Sequence, residues 1–585
     1  MVSPDPARDG PRKGFWQAGQ PFVLLDDQSE GGLARLYRGP VETVEARSLG
    51  EVKPALARLR GAGLHAAGYL AYEAGHALEP KLEGLGGAEG PLLWFGLFDG
   101  YEEVDAQALL PDPAGAWTSA PRPLVSREAH EAAVAEARRL ILAGDLYQAN
   151  LTFPAEVASA GHPLAVYAAL RTRARGGWGA IVFTGGEWLL SFSPELFFTL
   201  EAGRLLARPM KGTAPAACED SSLRDDPKQR AENLMIVDLI RNDLARVSKA
   251  GSVEVPELFR VERYPTVLQM TSTVTAELAD GLGPVDVLEA IFPCGSVTGA
   301  PKIRAMEVIA NLEIQPRGAY TGSIGRLAPD GEAAFNVAIR TLVLPEGGRV
   351  ARMGLGSGIV ADSVPGDEWR ECLAKGAFVE TVRRFDLIET MRFDPEQGLA
   401  ELERHLARMK RSAEALGFAF DRHHARNELQ AATFYLRAPR KLRLRLSPSG
   451  SIAIETCALP VNPAEPVPVA VRPMPVERDD FRLAHKTSDR GFYDEARGEA
   501  FETVFEDEDG FVTEGSRTNV FVKRGGKLLT PPLARGLLPG ILRERLIEEG
   551  RAIEADLKVA DLDSGYYIGN AVRGLIAATL AGDPA

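Results

Sequence analysis

"GSGIVADSVPGDEWRECLAKG", residues 356–376, decides between two architectures. Its start overlaps the glycine-rich "GLGSGIV" (354–360), which suggests a dinucleotide-binding turn, but the GxGxxG spacing is missing and no acidic ribose ligand follows. A doubly wound α/β sheet therefore loses its main support. The second half of the stretch reads as a helix with Glu368, Glu371 and Lys375 on one face. Convergent carboxylates suit Mg²⁺, which takes few protein oxygens and completes its shell with substrate and water. The same spacing fits a solvated acidic face, and from the residues alone both readings stand.

Working outward, short β-type runs alternate irregularly with amphipathic helices. "PFVLL" (21–25), "PLLWFGLF" (91–98), "GAIVFTG" (179–185) and "EWLLSFSPELFFTL" (187–200) read as strands. "REAHEAAVAEARRLILAGD" (127–145) and "KQRAENLMIVDLIRNDLARV" (228–247) read as helices. This predicts an α+β domain over residues 1–383. A second domain over 384–585 opens with the strand "FDLIETMRF", the helix "LAELERHLARMKRSAEALGF" (399–418) and the strand "KLRLRLS" (441–447). The proline-rich "ALPVNPAEPVPVAVRPMP" (458–475) reads as a semi-rigid connector inside it, centred on about 458–467.

A chain of 585 residues exceeds one core. Its 45% hydrophobic and 25% charged content fits an ordinary globular protein. Net charge of −14 disfavours nucleic-acid binding. No apolar run matches a membrane span, and no signal-peptide core opens the chain, so the cytoplasm is expected. Cys218, Cys294, Cys372 and Cys457 are too scattered for a disulfide framework or a zinc site.

Two positions in the first domain stand out chemically. Glu195, in "SPELFF" (193–198), lies among aromatics, where desolvation favours the protonated acid. Lys211, in "ARPMKGTAPA" (207–216), precedes Gly212, a residue that allows close backbone approach. It is either a solvated charge or an amine held against a substrate.

"GDLYQANLT" (144–152), "SPELFF", "MKGTAP" (210–215), "ENLMIVDLIRNDL" (232–244), "FPCGSVTGAPKIRAMEVI" (292–309), "RGAYTGSIG" (317–325), "FNVAIRTL" (335–342) and the opening stretch occur in that order. Together, over about 125–383, they resemble the chorismate-utilising enzymes. The resemblance implies a two-layer sandwich of β-sheets flanked by helices, with chorismate and Mg²⁺ bound within it. Glu232 and Glu371 would hold Mg²⁺, with Glu368 assisting. Thr213, Ser296, Tyr320, Arg340, Lys375, Gly356 and Gly358 would bind chorismate.

Relatives that make anthranilate carry a small residue where Lys211 stands. Aminodeoxychorismate synthases carry a lysine that attacks ring carbon 2. The resemblance thus makes Lys211 the nucleophile and Glu195 the acid that helps the 4-hydroxyl leave. An attacking amine has to be neutral, which burial favours. Gln148 stands where water-activating relatives place a lysine, which favours ammonia as the second nucleophile. Gln269 replaces a histidine tied to pyruvate elimination in anthranilate-forming relatives. No glutaminase motif accompanies these stretches, so ammonia is expected either free or from a separate glutamine amidotransferase subunit, the latter as the resemblance implies.

In the second domain, Lys486 in "LAHKTSDRGFYDEA" (483–496) and Glu514 in "DGFVTEGSRTNVFV" (509–522) fit a plain buried ion pair. "DRHHAR" (421–426) reads as a solvated loop. The order "DLIETMRF", "RHLARMKRSAEALGF" (404–418), "KTSDR", "TEGSRTNVF" and "LLTPPLARGLLPGILRERL" (528–546) resembles fold-type IV pyridoxal-phosphate enzymes. That resemblance implies a two-subdomain fold and a possible homodimer. Lys486 would carry the Schiff base to pyridoxal 5'-phosphate and move protons. Glu514 would pair with the pyridine nitrogen, and Arg408 and the backbone of Ile541 and Leu542 would bind phosphate. Leu542 replaces the threonine usual in the aminotransferases. "HKTSDR" is closer to the aminodeoxychorismate lyase subgroup. Asn570 and Arg573 fit either a carboxylate contact or a cap and a surface charge. The product expected of the first domain is then the substrate expected of the second.

Overall fold

The computed structural model describes residues 16, 19–28, 31–87, 89–174, 176–215, 219–263, 267–381 and 385–581; the side chains of 213–215 and 267 are also outside the description. Two compact units emerge. The first comprises residues up to 110, 120–157 and 170–380; the second comprises 111–119, 158–169 and residues from 381 onward.

The first unit is built on two long sheets. One runs through Gln148–Ala160, Val350–Ile359, Thr341–Pro345, Glu187–Ser193, Trp178–Phe183, Phe22–Asp27 and Ala34–Arg38. The other runs through Met210–Pro215, Val267–Glu277, Arg204–Arg208, Leu196–Glu201, Ala333–Asn336, Ser323–Leu327, His65–Leu70 and Leu93–Phe98. Val23, Val182 and Leu189 of the first sheet pack against Tyr69, Trp94 and Ile324 of the second, so a dry core lies between the sheets. The outer face of the second sheet is covered by the helices Leu49–Arg60, Pro227–Ala245 and Pro284–Ile291 through Leu56, Ile236, Val237 and Leu288. Arg127–Leu142 and Lys302–Leu312 cover the first through Val134, Ala137 and Val308. The expected α+β sandwich flanked by helices is present.

"EWLLSFSPELFFTL" does not form one strand. It divides into Glu187–Ser193 and Leu196–Glu201, which belong to different sheets. The break falls at Pro194, which has no N–H to give a ladder. The chain therefore changes sheets where Glu195 sits.

The second unit has two sheets. Leu387–Asp394, Arg440–Leu446 and Ile452–Ala458 carry the helices Leu402–Ala415 and Arg422–Thr433 on a core of Met391, Leu406, Met409, Leu429 and Leu444. The other sheet is barrel-like. Its order, Val512–Gly515, Thr503–Glu506, Val467–Pro473, Gly574–Leu580, Tyr566–Asn570 and Asn519–Arg524, closes where Glu514 pairs with Asn519. The proline-rich connector is shorter than its composition suggests, because Val467–Pro473 is a strand held in parallel between Thr503–Glu506 and Gly574–Leu580. Val467 and Val469 bury one face of it.

"DRHHAR" is also corrected. It opens the helix Arg422–Thr433, with the Asp421 carboxylate accepting from the N–H groups of His423 (2.8 Å) and His424 (3.1 Å). An N-cap aspartate satisfies donors that a loop would leave to water.

Candidate active sites

Lys211 and Gly212 lie in a register shift between Met210 and Thr213 where their strand pairs with Val267–Glu277. Gly212 has φ +99°, a conformation that glycine adopts readily. Such a bulge re-aims the adjacent side chain. The Lys211 carbonyl is held by Asn233 Nδ2 at 3.2 Å, and its Nζ lies 3.5 Å from Glu232 Oε2. A Cβ on Gly358 would sit 2.9 Å from Lys211 Nζ and 3.0 Å from Gln148 Nε2. Gly358 thus leaves the space in which the amine and the amide meet. Gln148 is buried, and among the described residues neither of its amide atoms has a hydrogen-bond partner. Burial of Lys211 is incomplete, since its side chain keeps 25% exposure.

Glu195 is buried, its Oε1 has no partner among the described residues, and its pKa is pushed up to about 7 by desolvation, against the Ser296 hydroxyl and the charges of Lys211 and Lys375. Ser296 also lies 3.2 Å from Cys294 Sγ. A carboxyl titrating there can hold its proton at neutral pH and deliver it to a leaving oxygen. The sign follows: the carboxyl keeps its proton below about pH 7 and loses it as pH rises through that value. Glu195→Gln should lower turnover by about 10²–10⁴-fold and remove that limb from the pH–rate profile. A profile that keeps its limb would assign it elsewhere.

Lys375 Nζ donates to the Gly356 carbonyl at 3.1 Å and pairs with Glu371 at 2.7 Å. Burial raises the Glu371 pKa, but Lys375, then Lys211 and Lys228, hold it net below the usual carboxylate range. Among the described residues, no three His, Cys, Asp or Glu side chains form a ready-made metal cluster. Glu232, Glu368 and Glu371 are therefore not brought together as one three-carboxylate set. Glu232 and Glu371 instead both face Lys211. Two hard oxygen donors of this kind fit Mg²⁺ that shares its shell with a substrate.

Tyr320 packs on Gly354, where a Cβ would come within 1.9 Å of its ring. Arg340 has φ +51° and donates to the Ala174 carbonyl at 3.1 Å. The backbone of Thr213 pairs with Gln269; its side chain lies outside the described residues. Arg317 went unnoticed in the sequence. Buried, it binds Glu313 and the carbonyls of Val297 (2.9 Å) and Asn150 (2.6 Å), fixing segments that carry Ser296 and Gln148.

The second unit holds a cavity of about 710 Å³. Lys486 lines it, with its pKa lowered to about 7 by desolvation first and Arg408 next. Its Nζ donates to Thr390 Oγ1 at 3.3 Å, a contact that no local pattern announced. Glu514 accepts from the Tyr493 hydroxyl at 2.5 Å, and burial pushes its pKa up to about 7. Among the described residues no ion pair joins Lys486 to Glu514, which replaces the plain-pair alternative with two separately held groups lining one cavity.

Arg408 is bidentate to Glu389 (2.8 and 2.7 Å) and donates to the Pro539 carbonyl at 2.9 Å. Three of its five N–H groups are taken, leaving two for an anion. Gly540 caps the helix Ile541–Glu548, and a Cβ there would strike Asn519 Oδ1 at 1.8 Å. The helix N-terminus faces the cavity through Gly540 and Ile541. The Leu542 side chain packs instead with Phe521 and Leu546, so only its backbone is available. Asn570 Oδ1 caps a turn by accepting from Val572 and Arg573 N–H groups, both at 3.0 Å. Arg573 donates to the Val461 carbonyl at 2.9 Å. A buried lysine, a buried acid lining the same cavity and an anion-receiving helix end fit pyridoxal phosphate.

Residues 20–381 match the chorismate binding enzyme family, and residues 386–580 match amino-transferase class IV. The chain is 40% identical over 289 residues to anthranilate synthase alpha subunit 1, chloroplastic, of Oryza sativa subsp. indica, covering 46% of this chain and 50% of that one. It is 42% identical over 265 residues to aminodeoxychorismate synthase component 1 of Klebsiella aerogenes, covering 44% and 58%. The crystal structure of anthranilate synthase component I from Streptococcus pneumoniae TIGR4 aligns with a TM-score of 0.52 at 25% identity, over 64% of this chain and 95% of that one. The chain spans about half the length of the curated relatives it matches. Identity does not separate the two activities those relatives are named for. No helix among the described residues is long and apolar enough to cross a membrane.

Proposed function

Because the chain belongs to the chorismate-binding enzymes, here joined to a class IV aminotransferase domain, we propose that it converts chorismate to 4-aminobenzoate in two steps. The first unit replaces the 4-hydroxyl of chorismate by an amine, and the second eliminates pyruvate. The observation that carries this reading is the Lys211 amine, aimed by its bulge at the space shared by Gln148 and Gly358, with Glu195 in electrostatic reach. An anthranilate-forming site needs no amine there.

In the first step Lys211 Nζ forms a bond to ring carbon 2, the diene shifts, and the carbon 4–oxygen bond breaks. Glu195 gives its proton so that the hydroxyl leaves as water. Ammonia, positioned by the Gln148 amide, then bonds to carbon 4 as the shift reverses and the carbon 2–Nζ bond breaks. Glu232 and Glu371 would hold Mg²⁺, which supplies charge neutralisation at the substrate carboxylate. A separate glutamine amidotransferase subunit would deliver the ammonia, and the cytoplasm is the compartment this reading favours.

In the second step pyridoxal phosphate, when bound, supplies an electron sink for the substrate amine. Lys486 and Glu514 would hold its reactive ends, and Arg408 and the Gly540–Leu542 backbone its phosphate. Lys486 Nζ takes the proton from carbon 4, with Thr390 fixing the direction of the amine. The bond from carbon 3 to the enolpyruvyl oxygen breaks, pyruvate leaves and the ring becomes aromatic.

Purified full-length protein with chorismate, Mg²⁺, ammonium and pyridoxal phosphate should release 4-aminobenzoate and pyruvate in equal amounts. Anthranilate as the product would overturn the reading of Lys211. Accumulating 4-amino-4-deoxychorismate would return the second unit to aminotransferase chemistry.

A further inference from the structure

The cavity of the second unit is lined by many cations, and most of them are already engaged. Arg497 pairs with Asp494 (2.8 Å) and Arg573 donates to the Val461 carbonyl; Arg408, held by Glu389, keeps its two remaining N–H groups for a phosphate, and Arg490 donates to the Ser516 carbonyl (3.0 Å) while its buried Nη1 has no partner among the described residues. Two others on the cavity wall, Lys441 and Arg443, have no side-chain hydrogen bond or ion pair among the described residues. Both lie on the strand Arg440–Leu446. Residues two apart on a strand share a face and are about 7 Å apart.

Their position relative to the chemistry follows from register. Arg443 is the direct cross-strand partner of Thr390, whose hydroxyl accepts from Lys486. Cross-strand partners project to the same side with their Cβ atoms about 5 Å apart. The Arg443 charge is close enough to Lys486 to help lower its pKa. Its partner on the other side is Glu455. That carboxylate lies 3.6 Å from Arg445 instead, so the strand's own acid does not neutralise Arg443.

We propose that Arg443 and Lys441 are the specificity-determining residues of this cavity, receiving the two carboxylates of a substrate whose amine is presented to Lys486. Their spacing is comparable with that of two carboxylates carried on one six-membered ring. Arg443, nearer the reacting carbon, takes the carboxylate of the departing three-carbon group, and Lys441 takes the carboxylate on the ring. A monocarboxylate amine leaves one of these cations unpaired. The assignment rests on the second unit accepting an aminated chorismate derivative.

The test uses the full chain loaded with pyridoxal phosphate. Calorimetric titration with glutarate and butyrate compares a dicarboxylate probe with a monocarboxylate of similar length. Wild type should prefer glutarate by at least about 10-fold, the scale of one charge-assisted contact. Lys441→Gln with Arg443→Met should bring the two probes within about 3-fold. In the same variant, assayed well above the Lys486 pKa so that the amine stays neutral without the Arg443 charge, the KM for 4-amino-4-deoxychorismate should rise about 100-fold while kcat changes little, the pattern of lost substrate binding. Retained absorbance of the bound cofactor confirms an intact cavity, and Arg443→Lys should restore part of the preference. An unchanged glutarate preference, or a fall in kcat at constant KM, would overturn the proposal. Loss of the preference in a protein whose wild type releases no pyruvate would uphold these two residues and overturn the elimination step alone.

Discussion

Lys211→Ala should lower formation of 4-amino-4-deoxychorismate by at least about 10³-fold, the scale seen when an enzyme loses its nucleophile. The effect is large because the amine is the group that bonds to carbon 2, and no other amine among the described residues is placed beside Gln148 and Gly358 in its stead. Glu232 loses an ion pair 3.5 Å long that is partly solvated, so stability should change little. Alanine also opens carbon 2 to ammonia itself. The residual product should therefore include the 2-amino isomer, which chromatography and mass spectrometry of the reaction mixture would resolve. Undiminished 4-amino product would mean that ammonia attacks carbon 4 directly and that Lys211 serves only as a charge.

The second large effect is expected from Lys486→Ala. Pyruvate release should fall by at least about 10³-fold while chorismate consumption continues, so 4-amino-4-deoxychorismate accumulates. Two properties make Lys486 hard to replace. Desolvation and Arg408 bring its pKa to about 7, so a substantial neutral fraction is present at physiological pH. Thr390 then fixes the direction of the amine. A free-solution amine supplies neither. Absorbance spectroscopy gives a second readout, because the variant should also lose the visible band of the lysine-linked cofactor. Continued 4-aminobenzoate formation would show that the elimination needs no enzyme base. The two variants together order the steps, since only Lys486→Ala should leave an intermediate that wild-type protein consumes.

Residues whose chemistry is carried in contiguous motifs were legible without coordinates. Glu195 among aromatics and Lys211 beside a glycine are singled out by their neighbours along the chain, whereas Lys486 enters only through the resemblance that "KTSDR" helps to carry. The α+β class was legible because strand and helix periodicity is a local property, whereas the sandwich with its helical flanks followed from the resemblance carried by the ordered motifs. Where local reading failed, a competing local signal was at work. Prolines in 458–475 suggested a connector, but Val467 and Val469 drove that segment into a core. Polar "DRHHAR" suggested a loop, but Asp421 capped a helix there.

What the sequence determined by itself is the inventory: two units, their fold classes, and the acid, the amines and the carboxylates available to each. Tertiary structure alone decided which of them meet. Gln148 and Lys211 lie 63 positions apart and are brought together over Gly358; Thr390 and Lys486 are separated by 96 positions, and Arg443 joins them only through strand register. The division has a physical cause. Propensity and capping act over a few residues along the chain, whereas a catalytic distance is set by how sheets pair and cores pack, which depends on residues far apart in order.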